Sequence, residues 1–198
     1  MGESFKVMRT LNLNIREYLK YKLLNSLFLG LSVGAIFVLY TPLMPWIYSL
    51  GGILLALSML VVAKLYYKIL NIEYFYKISL FIEFTLLFVM LYFLVFSYSY
   101  LSAIIIYSGY QITFTFGSFL VRAETLLLKK AKSMELVDVT KQKGYLLGML
   151  LSYFFYMILE HYGNITDKEM QVYYIHYLLV LLQIGIIISF IKSFRKTL

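Results

Sequence analysis

Residues 78–121 read ISLFIEFTLLFVMLYFLVF-SYSY-LSAIIIYSGYQITFTFGSFLV, without a single Lys or Arg and with Glu83 as the only acid. A helix needs about 20 apolar residues to cross about 30 Å of hydrocarbon. This run is therefore too long for one crossing, and Ser97-Tyr-Ser-Tyr100 is its natural turn, giving spans at 78–96 and 102–121. Working outward, four further apolar stretches appear at Leu23–Thr41, Trp46–Tyr67, Tyr145–Glu160 and Tyr173–Ile191. Pro42 and Pro45, the only two prolines, punctuate the first turn, where one helix ends and the next begins. The fold class expected is an all-α polytopic membrane bundle of six transmembrane helices, filling residues 1–198 as a single domain.

The cations orient this bundle. Lys6, Arg9, Arg16, Lys20 and Lys22 precede the first span; Lys64, Lys68 and Lys77 follow the second. Arg122, Lys129, Lys130, Lys132, Lys141 and Lys143 follow the fourth, and Lys192, Arg195 and Lys196 follow the sixth. Only Lys168 falls in the alternate gaps, so 17 of the 18 Lys and Arg residues share one side. Lys and Arg near span ends are retained on the cytoplasmic side, which places both termini inside. Apolar residues make up 62% of the chain and charged residues 14%, against roughly 45–50% and about 25% in soluble domains. The net charge of +8 then reads as topology and contact with anionic lipid headgroups rather than nucleic-acid binding. Zero cysteines exclude disulfides and thiol chemistry. The composition points to a bacterial cytoplasmic (inner) membrane, with no cleavable signal over Met1–Lys22 and no myristoylation pattern at the start.

Local signals refine the elements. Asn14 with Glu17, and Thr166 with Glu169, have capping-box spacing; the first places a helix along the membrane surface through Arg16–Lys22. Leu126, Leu127, Ala131, Met134 and Leu136 alternate with lysines in 122–143, as in a short helix lying in the inner interface or docking a partner. Trp46, Tyr48, Tyr66, Tyr67, Tyr74, Tyr76, Tyr98, Tyr100, Tyr173 and Tyr174 sit at span ends as interfacial anchors. The Asn164-Ile165-Thr166 sequon is a chance match this close to the membrane. Gly30 with Gly34, and Gly144, Gly148 and Ser152, form small-residue stripes suited to close helix packing or dimerisation.

Glu83 is the most informative single residue. It stands six positions beyond Lys77, about 9 Å into the span, where a carboxylate must be paired, protonated or facing water. One reading pairs it structurally with Arg122; the other makes it a titratable coupling or gating group. Arg122 and Glu124 join Glu83 as candidate coupling or gating residues; two apart, they do not share a helix face and need partners elsewhere. Gln111 and Gln183 lie mid-span, with Thr113, Thr115 and Asn25 as further polar groups. Tyr92, Tyr107, Tyr110, Tyr153 and Tyr156 lie deep enough to need hydrogen-bond partners. Gln111, Gln183, Tyr107 and Tyr110 are the residues expected to line a solute cavity. His161 and His176 fall near the outer ends of their spans, which disfavours a bis-histidine haem, so no cofactor or metal is expected. No serine-hydrolase elbow, zinc-protease motif or P-loop is present, and the chain does not read as an enzyme.

Six spans, both ends inside, very short outer turns and two longer basic inner loops resemble one half of a major facilitator superfamily transporter. Leu24-Asn-Ser-Leu-Phe-Leu-Gly-Leu-Ser-Val-Gly34 is similar to that family's first span. Residues 118–152, with Arg122, Glu124, Asp138, Gln142 and Gly144-Tyr-Leu-Leu-Gly148, resemble its fourth span, inner loop and fifth span. The loop Lys64-Leu-Tyr-Tyr-Lys68-Ile-Leu-Asn-Ile-Glu73 lacks the family's Gly and Asp signature, so no gating residue is carried over from it. The resemblance implies a half-size unit that moves a small solute and pairs with a second copy or another membrane subunit. The alternative is a non-transporting subunit that anchors or assembles a larger membrane complex.

Overall fold

The computed structural model describes residues 10–40 and 42–197; Lys6, Arg9, the first residues read for targeting signals, and Thr41 lie outside them. A short strand β1 (Thr10–Leu13) leads into α1 (Ile15–Leu39), followed by α2 (Pro45–Lys64) and the single turn α3 (Tyr66–Ile69). Then come α4 (Ile72–Phe96), α5 (Tyr100–Thr115), α6 (Gly117–Leu128), α7 (Ala131–His161), α8 (Lys168–Lys192) and strand β2 (Phe194–Thr197). Five segments are long and apolar enough to cross a membrane: α1, α2, α4, α5 with α6, and α8. The chain is thus an all-helical bundle of membrane-spanning character. The span read at 145–160 is the second half of the 31-residue α7, where Gly148, Ser152 and three tyrosines dilute the apolar run.

Helix ends follow the local chemistry. Asn14 caps α1 by accepting from the Arg16 amide at 3.1 Å, while Glu17 bonds Lys20 instead of closing a capping box. Pro45 occupies the first turn of α2, where its missing N–H costs nothing. Asn71 caps α4 through two amides. The chain turns at Ser97, with φ of 32°, and Ser99 caps α5. Asp167, rather than Thr166, caps α8 through the Glu169 amide. Two expectations are corrected. Residues 131–143 form no separate interfacial helix but the polar first turns of α7, because nothing between Ala131 and His161 breaks the helical repeat. Likewise Arg16–Lys22 does not lie along a surface, since Tyr18 and Tyr21 are buried in the core.

Contacts fix the helix directions. Gly144 meets Leu23 and Gly148 meets Leu27, so α1 and α7 run parallel. Gly51 lies against Tyr107 and Ser58 bonds Thr115, so α2 and α5 also run parallel. Asn14 bonds Ser193 and the Tyr21 ring meets Phe190, so α1 and α8 are antiparallel. Phe93 against His176 and Tyr76 against Phe190 make α4 antiparallel to α8. Val89 against Gly109 and Phe81 against Phe116 do the same for α4 and α5. Antiparallel pairing of β1 with β2 brings the start of α1 and the end of α8 together at one end of the bundle. By these directions that end carries every described Lys and Arg except Lys168.

The closest helix pairs are α1·α7, α1·α8, α4·α8, α4·α5 and α2·α5. Exchanging α1, α2 and α4 for α5–α6, α7 and α8 respectively returns the same five pairs. Because α5 opposes α1 in direction, the two three-helix units are inverted relative to each other. The tightest seam is α1·α7, where a Cβ on Gly30 would stand 2.3 Å from the Tyr145 carbonyl and one on Gly148 2.2 Å from that of Leu27. The small-residue stripes are consumed inside the chain, by close backbone approach.

Candidate functional site

Tyr18, Tyr21, Lys22 and Asn25 follow the i, i+3, i+4, i+7 pattern and so share one face of α1. Glu83 of α4 meets this face where α1, α4 and α8 converge, and it is 2% exposed. Its Oε1 accepts from the Tyr21 hydroxyl at 2.7 Å and from Asn25 Nδ2 at 3.2 Å. Its Oε2 accepts from Gln183 Nε2 at 2.7 Å, and the same nitrogen reaches the Glu83 carbonyl at 2.9 Å. The fully buried Gln183 keeps its own Oε1 without a hydrogen-bond partner. Glu83 therefore rests on neutral donors only.

A second cluster adjoins the first. Glu124 of α6, also buried, receives the Tyr18 hydroxyl, Lys22 Nζ at 2.7 Å and Lys141 Nζ at 2.8 Å. Lys141 further reaches Asp138 at 3.3 Å. Burial alone would lower the Lys141 pKa, but the bond to Glu124 and the fields of Glu124 and Asp138 outweigh it and hold the ammonium above the ordinary lysine range. Lys22 Nζ sits 5.3 Å from the Tyr18 ring centre and 5.4 Å from that of Tyr21. One turn of α1 thus touches both carboxylates.

The residues expected to act together divide. Glu83 and Glu124 come to neighbouring clusters, but Arg122 joins neither. The expected Glu83–Arg122 pair does not form, because Arg122 is on the outer face of α6, its guanidinium 5.9 Å from the Tyr66 ring centre. Among the cavity candidates, Gln111 and Tyr107 line a cleft of about 380 Å³ between α2 and α5, together with Trp46, Leu50 and Tyr100. The Gln111 Oε1 is buried there without a partner. Tyr110 instead packs its ring edge-on against Tyr40, and Gln183 belongs to the Glu83 cluster. His176, near the start of α8, is buried against Phe93 of α4 and bonds the Val172 carbonyl. His161 is exposed at the end of α7.

Tyr18, Tyr21, Lys22 and Lys141 are the participants that sequence reasoning passed over. The tyrosines resemble interfacial anchors and the lysines resemble topology signals, yet the helical spacing of 18, 21, 22 and 25 was present to be read. No family model, curated protein or solved structure matches the chain.

Proposed function

We propose that the chain is a half-size membrane transporter unit in which Glu83 is the coupling residue for a small polar or amphipathic solute. The observation carrying this reading is the exchange of the two inverted three-helix units with all five helix pairs preserved. Inverted repeats of this kind underlie many secondary transporters, whose ion and substrate sites lie at the repeat interface near mid-membrane. Glu83 and Gln183 occupy matching helices of the two units, α4 and α8, and meet at that interface. The layout resembles one half of a major facilitator transporter. A working transporter then needs a second half, and the apolar faces of α2 and α7, bare in the single chain, suit a second copy or a partner subunit.

This reading makes residues 145–160 of α7 the sixth crossing and the strand-bearing end the inner one. Lys130 and Tyr162 flank α7 and are both exposed, and the chain has no cysteine. In intact cells a membrane-impermeant maleimide should label Tyr162→Cys, and Lys130→Cys only after permeabilisation. Equal labelling of both before permeabilisation removes the sixth crossing.

The coupling role predicts that proteoliposomes of wild-type protein accumulate a member of a panel of radiolabelled small polar solutes in response to a pH gradient. Glu83→Gln should lose that pH-dependent uptake by at least tenfold while remaining monodisperse. Unchanged uptake removes Glu83 from the mechanism. One observation favours the other reading, a non-transporting subunit of a larger complex: Glu83 is sealed by donors on both oxygens and stands apart from the cleft between α2 and α5. Absence of uptake across the panel, with co-purification of a fixed membrane partner, would support it.

A further inference from the structure

The helix bearing Glu124 is set off from α5 by a single residue, Phe116. Thr113 and Thr115 turn their hydroxyls back onto the carbonyls of Tyr110 and Gln111, at 2.8 and 3.0 Å, a back-bonding that bends helices. Phe116 then breaks the α-helical ladder, its amide reaching only to Thr113 at 3.3 Å. Gly117 follows, with no atom within 4 Å of where a Cβ would stand. At its far end α6 stops at Lys129, a non-glycine residue with φ of 54°. A 12-residue helix is thus bounded by a break in the α-helical ladder on one side and a sharp turn on the other.

Glu124 sits at the middle of the buried face of α6, beside Phe119, Ala123 and Leu128, and is its one charged contact there. Its partners Lys22 on α1 and Lys141 on α7 belong to opposite three-helix units, so a single carboxylate ties the two units together. Side-chain exposure falls from 70% at Asp138 and 30% at Lys141 to 8% at Glu124, and Glu83 lies beyond at 2%. The Glu124 cluster thus stands on the strand-bearing side of Glu83, beside the packed rings of Phe75, Tyr76, Phe190 and Phe194. Loss of one partner in such a cluster strands a buried charge, so the contact is costly to break.

We propose that α6 is a hinged gate at the strand-bearing end of the bundle, pivoting at Phe116–Gly117 and latched shut by Glu124 on Lys22 and Lys141. Release of Glu124 swings α6 away from α1 and opens a water path to Glu83. Tyr18 and Tyr21, one on each carboxylate, couple the latch to the site through a single turn of α1. The inference rests on Glu83 as the coupling group, but its test needs no transported solute.

Ser79 lies one turn before Glu83 on α4, is 3% exposed, and takes a cysteine with little change in volume. In a chain without cysteines, Ser79→Cys is a lone reporter of water access for a charged methanethiosulfonate reagent. A second reporter, Ala103→Cys, is 2% exposed in the other half of the bundle. Adding Glu124→Gln should raise the Ser79→Cys reaction rate at least tenfold and leave the Ala103→Cys rate unchanged. Should Glu124→Gln fail to fold, Lys141→Met, which removes one of the two latch cations, should raise the Ser79→Cys rate at least threefold. A Ser79→Cys rate unchanged on removal of the latch overturns the gate, and equal acceleration at both reporters overturns it too, because that is general loosening.

Discussion

Replacing Gly148 by alanine is expected to lower stability by roughly 3 kcal/mol or more, since overpacking a seam that cannot relax lies at the costly end of core substitutions. The added methyl would stand 2.2 Å from the Leu27 carbonyl and 3.0 Å from the Gly30 Cα. Both obstacles are backbone, so no side chain can turn aside and the helices themselves must part. In lipid the cost is compounded. Hydrocarbon tails are as apolar as leucine, and helices associate through close van der Waals contact rather than through removal of apolar surface from water. Parting α1 from α7 forfeits that contact along the whole seam, including the approach of Gly30 to Tyr145 and of Gly144 to Leu23. Gly52 and Gly185 provide the control, having no atom within 4 Å of a Cβ position. Alanine there should be neutral or stabilising, since glycine in a helix costs roughly 1 kcal/mol against alanine. Thermal midpoints in detergent, followed by fluorescence-detected size exclusion, separate these cases. Gly148→Ala and Gly52→Ala melting together would mean the seam is not the structural core.

The same seam shows what the sequence could disclose. The turns at 97–100 and 42–45 were legible because apolar length and turn residues are local properties, although α1 and α7 begin 8 and 14 residues before the apolar runs read for them. Small residues at four-residue spacing in 30–34 and 144–152 were legible as packing surfaces. Their partner was not, because two parallel glycine stripes carry no record of which stripe they meet. The break at Phe116 was hidden for a related reason. Hydropathy sees only an unbroken apolar run from 100 to 121, whereas the break depends on threonine hydroxyls folding back onto carbonyls. The polar site was half legible. Glu83 and Gln183 stood out as polar groups in apolar spans, but nothing local says that they meet across 100 residues of chain. Lys22 was counted as a topology charge, and its second identity as a buried counter-ion depends on Glu124, a hundred residues away. The proposed inverted repeat leaves no visible internal repetition in the sequence, because it lies in helix neighbours and directions and not in side chains.

Glu83→Leu and Glu83→Gln should part company by roughly 2 kcal/mol or more, which separates the structural from the functional role of this carboxylate. Leucine removes both acceptor oxygens. The Tyr21 hydroxyl and Asn25 amide then lose their acceptor, and Gln183 keeps only the Glu83 backbone carbonyl. Hydrogen bonds between membrane helices average only about 0.6 kcal/mol, so the lost bonds alone would cost little. The larger effect is the stranding of buried donors, at about 1–3 kcal/mol for each group left unsatisfied. Glutamine keeps an acceptor oxygen in place and should cost about 1 kcal/mol, consistent with replacing a charge-assisted bond by a neutral one. Removing a stranded donor should then recover stability: Glu83→Leu with Tyr21→Phe is expected to be more stable than Glu83→Leu alone, a coupling that a double-mutant cycle measures directly. Additive effects of the two substitutions would mean that Tyr21 does not depend on Glu83. Against that baseline, loss of pH-dependent uptake in the stable Glu83→Gln protein reports the missing titratable group and not a damaged fold.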